Sequence, residues 1–250
     1  MTTATISALV PAAGRGARAN LESNKVLAPI AGQPLLWWTL QALLTASLPT
    51  GMRLIEIIIA ARPDEYGSIS PLFSALAEAQ PEDAVALRMV EGGAERQQSV
   101  GNAVRAAGGD FVMVHDAARP LVSAQLINRV CVAARRDGAA IPALQASDTV
   151  KAVVLQDNRL VVRETLERKT LWLVQTPQVF RREILATALT QAEVAGFTGT
   201  DCASLVEQLT DAQGQPLHPV TVVEGEANNF KVTYPPDLER AAALLKKATD

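Results

Sequence analysis

The segment Leu9-Val-Pro-Ala-Ala-Gly14-Arg-Gly16-Ala-Arg18, followed by Lys25, joins an apolar run to two glycines and then to mobile cations. Glycines let backbone N–H groups converge on phosphate oxygens. Arginine and lysine can offset the negative charge that spreads over a phosphoryl group in its transition state. Two sharper phosphate fingerprints fail. Gly14-Arg-Gly-Ala-Arg-Ala19 fits the loose dinucleotide-binding pattern, but the acid expected about 20 residues on is replaced by Leu36-Trp-Trp-Thr-Leu40. No Gly-x-x-x-x-Gly-Lys-Ser/Thr loop occurs either, which excludes a P-loop ATPase.

Three further segments carry chemistry. In Val112-Met-Val-His115-Asp116-Ala-Ala-Arg119-Pro120 an apolar strand ends in an acid with an arginine three residues on. Asp116 can hold a hard cation such as Mg²⁺ together with phosphate oxygens, and Arg119 can reach an acceptor. His115 reads as a packed histidine. In Glu91-Gly92-Gly93-Ala-Glu-Arg96-Gln-Gln-Ser99 two glycines again precede a helix start, so the main chain can approach a flat base, and Ser99 follows Arg96 by one helical turn. Toward the C-terminus lie Thr149, Arg168, Gln175-Thr-Pro-Gln178, Thr200-Asp201 and Asn229-Phe-Lys231-Val-Thr233. Their hydroxyls and cations could clamp a second phosphate, although capping and solvation explain each one singly.

Such residues need a frame. Apolar runs of strand length at Ile6–Val10, Leu54–Ala60, Val85–Val90, Phe111–Val114 and Ala139–Ala143 alternate with helical patterns at Pro34–Ala46, Asp64–Ala79, Ala94–Ala107 and Ser123–Arg136. That alternation implies βαβ units and an open, doubly wound, mostly parallel sheet of the α/β class. Val150–Val154 and Leu160–Val162, joined through Gln156-Asp-Asn-Arg159, read as a hairpin, so an arm is expected over about 147–165. Beyond it come helices from Arg182, from Thr200-Asp201 and from Pro235, with extended stretches at Val220–Val223 and Phe230–Thr233. With no repeat or linker, one domain over residues 1–250 is the expectation.

Lys plus Arg is 23 against Asp plus Glu 26, a net charge of −3, so no polybasic field exists for nucleic acid or anionic lipid. Any anionic ligand must therefore be held by local placement. Cys131 and Cys202 are far apart, without CxxC spacing or histidine neighbours, and read as buried reduced thiols. The N-terminus lacks a signal peptide's basic and apolar regions, and no apolar run reaches the roughly 20 residues of a membrane span. A cytoplasmic protein without membrane or nucleic-acid partners is expected.

Taken together, Pro11-Ala-Ala-Gly-x-Gly with Arg18 and Lys25, Gly92-Gly93-x-x-Arg96-x-x-Ser99, His115-Asp-Ala-Ala-Arg-Pro120, Thr176-Pro-Gln178, Thr200-Asp201-x-Ala-Ser204 and Asn229-x-Lys-Val-Thr233 resemble the 2-C-methyl-D-erythritol 4-phosphate cytidylyltransferases. The resemblance implies a Rossmann-like nucleotidyltransferase that moves the cytidylyl group of CTP onto a polyol phosphate, with Mg²⁺ as cofactor and a homodimer formed through the arm. It implies that Arg18, Lys25, Arg168 and Lys231 are catalytic cations and that Asp116 is the metal position. It places Ala12, Ala13, Gly14, Gly16, Gly93 and Ser99 on the nucleotide, and Arg119, Thr149, Arg168, Thr200 and Lys231 on the acceptor. Three positions depart from the family pattern: Asn24-Lys25-Val26 replaces Pro-Lys-Gln, Ala94 replaces a polar residue, and Cys202 replaces an acid. A transferase for another polyol phosphate, such as ribitol 5-phosphate, shares the nucleotide half. A regulatory module that binds CTP without turnover is a further alternative, and a nicotinamide oxidoreductase is disfavoured by the missing acid.

Overall fold

Ile57-Ile-Ile-Ala60 is fully buried, although successive side chains of a strand point to opposite faces. Both faces of the sheet must therefore be covered, which is the condition for a parallel sheet. In the computed structural model, which describes residues 2–14, 24–78 and 85–249, they are. The chain runs β1 (Ala4–Pro11), β2 (Pro29–Ile30), β3 (Gln33–Pro34), α1 (Leu35–Leu44), β4 (Met52–Ala61), α2 (Tyr66–Ala77), β5 (Ala86–Glu91), α3 (Arg96–Ala106), β6 (Phe111–Val114), α4 (Ala124–Asp137) and β7 (Ala139–Gln145). It continues through β8 (Lys151–Gln156), β9 (Arg159–Thr165), β10 (Trp172–Val174), β11 (Gln178–Arg181), α5 (Arg182–Ala195), α6 (Cys202–Val206), β12 (Thr221–Glu224) and α7 (Pro235–Thr249).

One core gathers Ile6, Ala8, Val10, Ile57 and Ile59 under residues of α1, α2, α4 and α7. The opposite core gathers Leu9, Ile58, Ala60, Val112 and Val114 under α3, α5 and α6. Alternate residues of β1 and β4 thus feed different layers. The sheet order is β10-β7-β11-β6-β1-β4-β5, with β12 also paired to β7. β1, β4, β5 and β6 run parallel, as do β7 and β12. The chain steps from β1 outward through β4 to β5 and then returns to β6 on the other side of β1. That reversal opens a crevice at the carboxyl ends of β1 and β6, where open α/β sheets bind ligands.

Two features differ from the sequence expectation. Residues 172–181 carry no alternation strong enough to announce strands, yet β10 and β11 run antiparallel to β7, and β11 also to β6. The two short pieces are separated by Gln175-Thr-Pro177, and proline has no N–H with which to continue a ladder. Phe230–Thr233 is not a strand. It is fixed by a hydrogen bond that Val232 N donates to Ala118 O at 2.9 Å, beside the end of β6.

The arm forms its own two-stranded sheet of β8 and β9. Asp157 and Asn158 at its tip both have positive φ, 49° and 58°, the backbone that a two-residue hairpin turn demands. Cys131 lies in α4 and Cys202 opens α6; both are free and buried. Among the described residues no helix is long and apolar enough to cross a membrane.

Candidate active site

Three loops leave the carboxyl edge of the sheet and meet. After β1, Ala12 N donates to Ala60 O at 2.8 Å; after β5, Gly92 N donates to Ala61 O at 2.8 Å. The two loops approach so closely that a Cβ on Gly92 would stand 2.3 Å from the Cβ of Ala13. A Cβ on Gly93 would stand 2.2 Å from that of Gln98, so both glycines are steric requirements. Gly93 N donates to Ser99 Oγ at 3.0 Å, and Glu95 and Gln98 close a capping box that starts α3.

The third loop follows β6 and carries the charge. The Asp116 carboxylate accepts from Arg96 Nη2 at 3.0 Å and Nε at 3.2 Å on one oxygen, and from Lys231 Nζ at 2.9 Å on the other, with Arg119 Nε 3.8 Å away. Burial alone would raise the pKa of Asp116, but Arg96 first and then Lys231 hold it far below the ordinary carboxylate range. Three cations around one anion leave a surplus of positive charge in a largely dehydrated place, where it attracts phosphate most strongly. Arg96 also donates to Cys202 Sγ at 3.8 Å, so the thiol occupies the place where the family pattern has an acid.

His115 is not available to substrate. It is fully buried, with Nδ1 3.1 Å from Thr176 Oγ1 and Nε2 3.0 Å from Arg119 O. Asn229 completes this layer: its Nδ2 donates to Thr176 O at 2.8 Å, while Arg119 Nη1 donates to Asn229 O at 2.6 Å. The remaining Arg119 Nε is buried and makes no hydrogen bond.

Two cavities flank this layer. The first, of about 350 Å³, is lined by Ala12, Ala13, Gly14, Lys25, Gly93 and Ser99 among others. The second, of about 310 Å³, is lined by Arg119, Thr176, Gln178, Thr200 and Asp201 among others. Arg96, Asp116 and Lys231 line both and form a shared wall. In the second cavity Gln178 Nε2 donates to Asp201 Oδ2 at 2.7 Å and Gln178 Oε1 accepts from Cys202 N at 3.1 Å, which fixes the Thr200-Asp201 loop.

Most sequence-derived site residues therefore converge. Arg18 and Gly16 lie outside the described residues. Thr149 and Arg168 are exposed and line neither cavity; Arg168 Nη1 donates instead to Ser147 O at 2.8 Å. Sequence reasoning assigned no role to Arg96, although its place one turn before Ser99 signalled a shared helix face. It had no signal for Asn229 and Gln178 as braces, because hydrogen bonds between elements distant in sequence leave no local pattern.

The profile of the family described as 2-C-methyl-D-erythritol 4-phosphate cytidylyltransferase matches residues 6–247. The chain belongs to that family. A 2-C-methyl-D-erythritol 4-phosphate cytidylyltransferase of Acidobacterium capsulatum is 40% identical over 247 residues, covering 96% of each chain. One from Geobacillus kaustophilus is 39% identical over 239 residues, covering 95% of this chain and 96% of the other. The crystal structure of the Thermus thermophilus protein of that description superposes with a TM-score of 0.69 at 34% identity, covering 95% and 98% of the two chains. The chain is therefore a cytidylyltransferase, an enzyme of the nucleotidyltransferase class.

Proposed function

We propose that the first cavity takes CTP and the second takes 2-C-methyl-D-erythritol 4-phosphate, so that the two anions meet at the Arg96–Asp116–Lys231 wall. The reaction transfers the cytidylyl group of CTP to that acceptor, giving 4-diphosphocytidyl-2-C-methyl-D-erythritol and pyrophosphate, a step in isoprenoid precursor biosynthesis. The observation that carries the division is the wall: one buried carboxylate orienting three cations, open to both sides.

An acceptor phosphate oxygen attacks the α-phosphorus, and the bond to the pyrophosphate leaving group breaks. No protein nucleophile is required, because the acceptor is already anionic and the barrier is repulsion between anions. Lys25 on the first cavity and Lys231 on the wall offset charge at the α-phosphate, and Arg18 is assigned the same task. Ala12, Ala13, Gly14, Gly93 and Ser99 seat the nucleotide, with Gly16 assigned the same task, while Arg119 and Thr200, which line the second cavity, take the acceptor.

Among the described residues no group of three or more His, Cys, Asp or Glu side chains gathers to cage a metal. The donor set fits a divalent cation such as Mg²⁺ only with Asp116 as a single carboxylate and phosphate oxygens as its other ligands, which is how Mg²⁺ is usually held. Bound there, it would neutralise triphosphate charge.

Thr149 and Arg168 belong to the same reading through a second copy of the chain. Their exposure beside an apolar arm fits a cytoplasmic homodimer in which each arm serves the partner's acceptor cavity. We read residues 1–250 as a single cytidylyltransferase domain with the arm at about 147–165. Pyrophosphate release tests the whole: turnover is expected with CTP, Mg²⁺ and methylerythritol phosphate, and silence with ribitol phosphate or no acceptor. Equal turnover with ribitol phosphate would overturn the acceptor assignment.

A further inference from the structure

Lys25 must be held against the first cavity by something, and the residue before it departs from the family pattern. Asn24 is only 3% exposed and makes hydrogen bonds at each polar end of its side chain. Its Nδ2 donates to Ala12 O at 2.6 Å and to Glu65 Oε2 at 3.1 Å, while its Oδ1 accepts from Val26 N at 3.3 Å and so starts the short 3₁₀ turn Lys25–Leu27. Ala12 lines the same cavity as Lys25. Glu65, 5% exposed, lies in the connection from β4 to α2, and its other oxygen accepts from Arg62 Nη2 at 2.7 Å.

We infer that Asn24, braced by Glu65 and Arg62, is a positioning residue that clips the Lys25 turn to the cavity wall at Ala12. The inference rests on Lys25 acting on the α-phosphate, as argued above. Proline at this position could stiffen the chain but has no side-chain donor, so it could not bond Ala12 O or Glu65. Asparagine exchanges ring rigidity for two hydrogen bonds that tie the turn to the loop after β1 and to the β4–α2 connection, and a third that starts the turn itself. The Glu65 carboxylate is the reason an amide suits the place. An aspartate would set two carboxylates together and leave Ala12 O without its donor, whereas the amide satisfies both acceptors at once. Displacing a positioned charge by about 1 Å costs on the order of 10²-fold in rate, so a loosened clip acts on turnover before it acts on stability.

The test is steady-state kinetics of pyrophosphate release with both substrates, on Lys25→Ala, Asn24→Ala, Asn24→Asp, Glu65→Gln and the double variant Asn24→Asp with Glu65→Gln. Lys25→Ala is the benchmark, expected to lower kcat at least about 10²-fold. Asn24→Ala is expected to lower kcat about 10- to 100-fold with the KM for the acceptor within about twofold of the parent. Asn24→Asp is expected to lose more. In the double variant the amide introduced at position 65 can donate to the carboxylate introduced at position 24, and about tenfold of that loss returns. Melting temperatures place each protein on the folded side before kinetics are read. If Asn24→Ala does not fold, the comparison of Asn24→Asp with the double variant decides alone. A normal kcat in folded Asn24→Ala, or no recovery in the double variant, overturns the clip. An unaffected Lys25→Ala would instead overturn the role of Lys25 itself.

Discussion

At the end of β6 burial keeps the His115 imidazole neutral, pushing its pKa down to about 4, while the neighbouring Asp116 stays ionised because Arg96 and Lys231 pair with it. Adjacent residues in one strand end thus take opposite protonation states at neutral pH. The histidine has a measurable cost in acid. In the unfolded chain it takes up a proton below about 6.5, in the native state only below about 4. The unfolded state therefore binds more protons in that window, and stability present above pH 6.5 is lost as pH falls toward 4, by roughly 3 kcal/mol in total. Urea unfolding at pH 7, 5.5 and 4 checks this. His115→Gln should flatten the dependence across the same range, and an unchanged slope in that variant would remove His115 as its cause. The sequence reading already favoured a packed His115 and a charged Asp116. It had no means of seeing that Asp116 is encircled, because Arg96 and Lys231 lie 20 and 115 residues away.

The elements that carry the site were legible where a single local rule governs them. Phe111–Val114 and Ile57–Ala60 are uninterrupted apolar runs because helices cover both faces, and the pairs Gly92-Gly93 and Asp157-Asn158 mark a close approach and a tight turn. β10 and β11 were illegible: they are short, interrupted by Pro177, and strands only because β7 and β6 offer ladders. The clip at Asn24 was invisible in the same way, since a buried asparagine and a solvated one look alike in sequence. The contact between the loops after β1 and β5 makes a prediction at this scale. Gly92→Ala places a methyl in the space of Ala13 Cβ, so the loops must part. CTP affinity is expected to fall by at least about tenfold and stability by about 1–3 kcal/mol, the usual range for overpacking. Isothermal titration and thermal unfolding of the same preparation separate the two; retained affinity would show that the loops can part without deforming the nucleotide cavity.

For the whole molecule the arm is the informative part. Leu155 is 72% and Leu160 75% exposed, opposite one another near the tip of a ribbon that is separate from the main sheet. An isolated two-stranded ribbon is marginal in water, and contiguous apolar exposure marks an interaction surface. On the proposed homodimer, the parent chain is expected to sediment as a dimer and Leu155→Glu combined with Leu160→Glu as a monomer at the same concentration. If Thr149 and Arg168 serve a partner's cavity as proposed, the acceptor KM should rise more than the CTP KM. A double variant that stays dimeric with unchanged KM values would remove the arm from both roles. Residue types and turn chemistry exposed the arm in the sequence; in which copy of the chain Thr149 and Arg168 would meet the acceptor could not be read there, since a sequence does not distinguish a chain from its copy.

The wall shared by the two cavities has a further consequence, for energetic linkage. Arg96, Asp116 and Lys231 cannot rearrange for one occupant without altering the field felt by the other. Binding at the two sites is then coupled, and equilibrium coupling is reciprocal: whatever factor an unreactive CTP analogue imposes on acceptor affinity, the acceptor must impose on the analogue. A compound that fills only one cavity would in this way be sensed in both.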